Sequence, residues 1–462
     1  MNESKIININ DISSSKNETE NNSKDLYLLL NFSKNFISST LIEFSKDQQK
    51  LNVLSYNKEE TIALFDGHIQ HIDKAYETLK KNLIKLKKSA GIKSLQNIHV
   101  ICNVNPTLGN KITTNAITNF IENEVTDEDI NDVIQKSLNT NNIPENMKLI
   151  NLHINKFKID NNWVSNPLGM NCQRLEVDAT SQIINSSYFN NFNKILQKNG
   201  LNLDLMRFET DNIIDASLSE EEKELGAVLV YIADYETKVT FIKNSVVERE
   251  ENIAIGRMKI VEDISSTFKL SFKVSNHLLK NINLISENSK NLGFFEIELP
   301  DGKIQEINYE LLNQTISNSL LNIFEDVKRE INHTKNINNY LNGVIFLKTL
   351  DIRGIEHFFN SAFEEFIKDI RSFNNIIQTF DNIYNVELLN GEYALLGMSL
   401  MILNEKDFHY NHNIEVLGNT NKVDKNNLSI NLNNINISKN KEDNSNSEGI
   451  FFKIKRIAKE LW

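Results

Sequence analysis

Several residue types that mark special chemistry are scarce in this sequence. Its 462 residues include only two cysteines, Cys102 and Cys172. They are too few and too isolated for a disulfide framework or a zinc site, and they fit a reducing cytosol. Both are expected to be buried apolar residues. Glycine numbers 15 and proline four. Scarce glycine bears on function, because a backbone that approaches a phosphate closely usually needs it. No run reaches the ~20 apolar residues of a membrane-spanning helix. The longest, Leu225–Ala233 and Ala394–Leu403, have the length of strands or core helices. The first 24 residues are polar, lack the apolar segment of a secretory signal, and read as a disordered tail. Positive charge is short as well. A net charge of −12 speaks against nucleic acid as a bulk partner and leaves room for a local basic patch.

What is present suits a folded α/β protein. The chain is long enough for two or more domains and a sizeable core. Asn, Ile and Lys are frequent in strands, helices and loops alike, which points to coding drift. Strand-like runs begin at Leu26–Leu30 and Ile37–Phe44. Residues 68–90 predict a long amphipathic helix with Ile69, Ile72, Ala75, Leu79, Leu83 and Leu86 at helical spacing. A strand follows at Ile98–Asn103. Thr126 and Asp129 have the spacing of a helix N-cap with an acid three residues on. Strands are expected near 149–159, 173–181, 203–208 and 226–242, with a helix at 186–200. Further helices fit 258–270, 275–283, 308–332 and 354–371, and strands fit 293–299, 343–347 and 384–389. Alternating strands and helices imply an α/β architecture.

Composition shifts near residue 404. Residues 404–448 are polar and Asn-rich and read as a flexible linker. Residues 449–462 then form a short basic amphipathic stretch. Ile450, Phe451, Ile454, Ile457, Leu461 and Trp462 share one helical face, Phe452 flanks it, and Lys453, Lys455 and Arg456 lie on the other. That pattern suits the interface of an anionic membrane. A terminal helix packed on the domain and a protein-binding helix share the pattern.

The stretch Leu149–Ile184 is more specific. Asn166–Pro167–Leu168–Gly169–Met170 followed by Arg174–Leu175–Glu176 resembles FtsA, the actin-like bacterial cell-division family. Phe65–Asp66–Gly67–His68–Ile69, Glu224–Leu225–Gly226, Ile255–Gly256, Glu392–Tyr393–Ala394 and Gly397 agree in order. The resemblance covers about residues 26–403 and the terminal basic stretch. It implies an actin-like, RNase H-like duplicated fold of two lobes with an inserted 1C subdomain. The expected division is lobe 1 from 25 to 96, the insert from 97 to 185, and the remaining core from 186 to 403, with subdomain 2B near 285–330. The resemblance also implies ATP as ligand, self-association into filaments, attachment to the cytoplasmic face of the membrane at the division site, capture of the FtsZ tail, and recruitment of later septum proteins.

The nucleotide motifs depart from that family. Its first turn reads Asp-Ile-Gly-Thr-Ser-Lys, and here Asn31, Ser33 and Lys34 occupy the stretch. Its second reads Asp-Ile-Gly-Gly-Gly-Thr-Thr, and here Tyr231 is followed by Ile232, Ala233, Asp234, Tyr235, Glu236 and Thr237. Its third, Gly-Gly-Gly-Ala, is matched by Lys348, Thr349, Leu350 and Asp351, with Gly354 further on. The lost glycines imply side chains filling the nucleotide's place, and Asp234 and Glu236 are expected to face the phosphate position. ATP binding is therefore expected to be weakened or lost, no metal site emerges, and hydrolysis is not expected. For the FtsZ tail, Lys303, Lys328 and Arg329 are the candidates carried over. The family's basic residue before the 308–332 helix falls near Asn308, and its Arg within that helix falls near Ser319. Alternative readings are a pilus-assembly actin-like scaffold and an ATP-dependent enzyme of the actin and sugar-kinase superfamily.

Overall fold

The computed structural model describes residues 24–404, apart from 34, 66, 96, 118–123, 141–142, 165, 283, 285–292, 300–301, 303, 334–338 and 351. Residue 404, where the expected linker begins, is the last described residue; the rest of that linker, the terminal basic stretch and the first 23 residues lie outside the described residues.

Two sheets repeat one topology. In the first, strands Lys24–Ser33, Phe36–Ser45 and Lys50–Glu60 form an antiparallel meander. His99–Val104 and then Leu205–Phe208 add in parallel beside the opening strand. In the second, Ala227–Ile232, Thr237–Lys243 and Val246–Ile253 form the meander. Val344–Lys348 and then Lys368–Ser372 add in parallel. Ile383–Tyr384 extends the first sheet as a sixth strand.

The layers follow from which faces are apolar. Successive strand residues point to opposite faces, and both faces here are buried. Leu28, Leu30 and Phe32 meet helices Ile72–Ala90 and Ser186–Lys198 on one side. Tyr27 and Leu29 turn the other way, into a core shared with Leu229, Tyr231 and Ile345 of the second sheet. Helices Glu209–Ser217 and Tyr393–Asn404 fill that shared layer. They meet so closely that any Cβ on Gly397 would overlap the Asn212 carbonyl. The second sheet's outer face packs on Arg257–Phe268, Tyr309–Asn332 and Ile355–Ala362.

The insert is a separate antiparallel sheet, ordered Gly109–Ile117, Leu175–Asn185, Met147–Ile159, Asn162–Val164. Helix Asp127–Thr140 begins with the expected box: the Asp129 amide donates to Thr126 Oγ1 and the Thr126 amide to Asp129 Oδ2.

Several expectations need correction. The insert does not begin at 97, because His99–Val104 pairs with the opening strand of the main sheet. The helix expected over 354–371 stops at Ala362, and Lys368–Ser372 becomes an edge strand paired with Val344–Lys348. Tertiary pairing overrides the helix-favouring Glu and Lys there. Residues 386–389 form a 3₁₀ turn instead of a strand. His68–Ile69 belongs to a short hairpin, so the first long helix starts at Ile72. Cys102 and Cys172 are buried free thiols as expected.

Candidate functional site

The candidate site is the region where the two opening hairpins face the shared layer, the place of the nucleotide cleft that the resemblance implies. At the first hairpin, Asn31 is buried. Its Nδ2 donates to Glu392 Oε2 at 3.2 Å, and its Oδ1 accepts from Asn103 Nδ2 at 2.9 Å. Asn212 Nδ2 in turn donates to Asn103 Oδ1 at 2.7 Å. Arg207 carries the chain on to Asn212 and Asp215, and Lys223 donates to Asp215. Burial pushes Asp215 up, but Arg207 and Lys223 hold it below the usual carboxylate range.

Glu392 is the hub at the other end of this chain. It accepts from Ser38 Oγ at 2.5 Å, Tyr56 OH at 2.7 Å and Lys58 Nζ at 3.3 Å. Burial, then the charge and hydrogen bond of Glu392, raise the Tyr56 phenol far above its ordinary range and keep it a donor. Tyr393, the next residue, donates to the Lys348 carbonyl at 3.1 Å. Residues 392 and 393 therefore touch both sheets. The sequence marked Glu392 only as a point of order in the resemblance. Its role shows only when three strands converge on it.

At the second hairpin the turn is closed by the Ala233 amide donating to the Glu236 carbonyl at 2.8 Å. Ala233 and Asp234 then accept, through their carbonyls, the Arg257 and Met258 amides at 2.9 and 2.7 Å. Those amides open the helix Arg257–Phe268, so its positive N-terminal end faces the hairpin's own backbone. A Cβ on Gly256 would lie 2.5 Å from the Ala233 oxygen and 2.6 Å from the Glu236 nitrogen. Only glycine lets the turn sit there.

The acids of this turn, expected to face the phosphate position, have partners within the protein. Asp234 Oδ1 pairs with Arg257 Nε at 2.7 Å, and Glu236 lies 3.4 Å from Lys238 Nζ. Nor does Tyr235 fill the cleft, since it is 61% exposed. Thr349 Oγ1 donates to the Ile232 carbonyl at 2.6 Å, and Lys348 pairs with Glu356. Ser33 is buried at the end of its strand. Lys34 and Asp351 lie outside the described residues. Among the described residues no group of acids, histidines or cysteines could hold a metal ion.

Of the three basic residues proposed for a partner tail, Lys328 and Arg329 are among the described residues. Lys303 lies outside the described residues, but its neighbour Ile304 opens the strand that leads into helix Tyr309–Asn332. Gln305 beside it donates to the Phe268 carbonyl, at the N-terminal end of that helix. Lys328 and Arg329 sit near the other end, about 29 Å further at roughly 1.5 Å per residue. Lys328 pairs with Glu365 at 2.5 Å and Arg329 with Asp326 at 2.9 Å. Both line an open hollow of about 550 Å³ with Glu325, Asn332 and His333. Asn308 caps the helix by accepting the Leu311 amide, and Ser319 donates to Asp263.

Comparison with known proteins agrees with this architecture. Residues 110–182 match the family described as the SHS2 domain inserted in FtsA. The cell division protein FtsA of Streptococcus pneumoniae is 24% identical over 294 residues, 62% of this chain and 63% of that protein. FtsA of Neisseria meningitidis serogroup B is 22% identical over 311 residues, 66% of this chain and 74% of that protein. Among solved structures, a PilM–PilN type IV pilus biogenesis complex aligns with a TM-score of 0.51 at 11% identity, covering 83% of this chain and 99% of the other. That last likeness concerns the fold alone. No helix among the described residues is long and apolar enough to cross a membrane. With its duplicated actin-like fold and its SHS2 insert, this chain is a divergent relative of the FtsA cell-division proteins.

Proposed function

We propose that this protein is an actin-like scaffold of cell division that ties the FtsZ ring to the cytoplasmic face of the membrane and recruits later septum proteins. The observation that carries this reading is the FtsA-type insert at residues 110–182, seated within a duplicated core. Membrane contact falls to residues 450–462, where Lys453, Lys455 and Arg456 offset an otherwise acidic chain. One short helix binds a membrane reversibly, and many copies on a filament make the attachment firm. The FtsZ tail contact is assigned to subdomain 2B, with Lys303, Lys328 and Arg329 as its candidate basic residues.

ATP, the ligand the fold implies, does not suit the residues at the cleft. The helix start that would offer amides to a phosphate is occupied by the hairpin's carbonyls, and Asn31 is committed to Glu392 and Asn103. We therefore read the protein as a scaffold with weakened or lost ATP binding and no hydrolysis. A calorimetric titration of the full chain with Mg-ATP is expected to give no saturable heat; micromolar binding would overturn the nucleotide part. Deleting residues 450–462 is expected to release the protein from anionic vesicles. Unchanged co-sedimentation would sink the tether.

A further inference from the structure

The second hairpin holds a buried cation that neither the nucleotide motifs nor the partner surface explains. Lys238 is 1% exposed. It stands opposite Tyr231 across the hairpin, on the same sheet face as Thr240 and, one strand further, Glu250. Its Nζ lies 3.4 Å from Glu236 Oε1 and 3.9 Å from Glu250 Oε1. Thr210, in the first turn of the helix that follows the first repeat, donates to Glu250 Oε1 at 3.2 Å. Its neighbour Glu209 also acts on Lys238 electrostatically. The Lys238 ammonium and the hydroxyls of Tyr231 and Thr240 are buried without a hydrogen-bond partner. Burial pulls the lysine pKa down; Tyr231, Glu250, Glu209 and Glu236 together raise it above its ordinary value, so the amine stays charged.

A desolvated ammonium is tolerated only where surrounding negative charge compensates it. Here the compensation comes from three elements: the hairpin turn, the third strand of the second repeat, and the helix that closes the first repeat. We infer that Lys238 is the resident cation of the cleft. It joins the turn and third-strand carboxylates of the second repeat, the latter held by Thr210 of the first repeat, and takes over the bridging that a bound metal–nucleotide complex would otherwise supply. The inference rests on the reading that ATP binding is weakened or lost. It places control of assembly outside the cleft, because the cation cannot leave.

The test is chemical rescue in the full chain. Lys238→Ala is expected to lower the thermal midpoint, and propylammonium chloride is expected to restore at least half of the loss. Tetramethylammonium chloride at the same ionic strength is expected to restore none, being too bulky to meet the carboxylates. No selective rescue overturns the inference. If Lys238→Ala does not fold, Lys238→Met keeps the volume and decides the question. Its thermal midpoint is expected to fall below that of the unaltered protein, because Glu236 and Glu250 are left without a cation beside them. A Met variant as stable as the parent means that Lys238 only fills space. The Mg-ATP titration of the unaltered protein separates the two ideas: saturable binding there sinks the nucleotide reading whatever the amine does.

Discussion

Asn31 faces Ser38 across the first hairpin, and Tyr231 faces Lys238 across the second. Two pairs further, on the same face, Leu29 faces Thr40 and Leu229 faces Thr240. On the third strands, Tyr56 stands beside Thr40 and Glu250 beside Thr240. The two repeats thus present matched positions to the shared layer, and each meets a carboxylate from the start of the other repeat's last helix. In the first repeat that carboxylate is Glu392, held by an amide, two hydroxyls and Lys58. In the second it is Glu209, and a buried ammonium answers it. The lesson is that one backbone frame accepts either an amide, two hydroxyls and a half-exposed lysine around an acid or a buried cation among acids. In both, the protein's own side chains supply the opposite charge.

This comparison can be broken at graded cost. The largest effect is expected from Gly256→Ala, which forces backbone apart where the turn sits on the helix start. About 3 kcal/mol of destabilisation is expected by urea unfolding; a loss under about 1 kcal/mol would show that the turn is not locked there. Glu392→Ala is expected next, at about 2 kcal/mol, because it leaves the donors of Asn31, Ser38 and Tyr56 without their acceptor. A neutral result would remove Glu392 as the hub. Asn31→Asp restores the acid of the family motif but sets it against Glu392 Oε2, 3.2 Å from the present amide nitrogen. A penalty of about 1–2 kcal/mol is expected at neutral pH, shrinking as the pH falls through the carboxylate range and one of the two acids protonates. A variant that instead gains Mg-ATP binding at no cost would show the first repeat to be one substitution from a ligand site. Tyr235→Ala should change stability by no more than about 0.5 kcal/mol, since the ring is largely in solvent. A large loss would place it in the cleft after all.

Much of the frame was legible beforehand. The apolar runs near 26–30, 37–44, 98–103 and 226–242 became strands because both faces of each sheet are covered, which leaves continuous apolar stretches to read. The insert was readable because its Pro-x-Gly-Met turn and the Thr126 box are local signals. The edge strand Lys368–Ser372 was hidden by helix-favouring composition. Its strand state depends on pairing with Val344–Lys348, a partner at long range.

At the site the division is sharper. The sequence by itself determined that the glycines of the phosphate turns are missing, because that is a statement about residue identity in order. It also determined the amphipathic pattern of residues 450–462. Only the tertiary structure decided where the replacements point. Asp234 and Glu236 read as repelling acids in one dimension, yet Arg257 and Lys238 neutralise them in three. In the sequence Lys238 is one lysine among many, since its burial and the convergence of Glu236 and Glu250 on it arise only in the folded sheet. Charge compensation is a property of distance in the folded chain, and spacing along the sequence does not encode it.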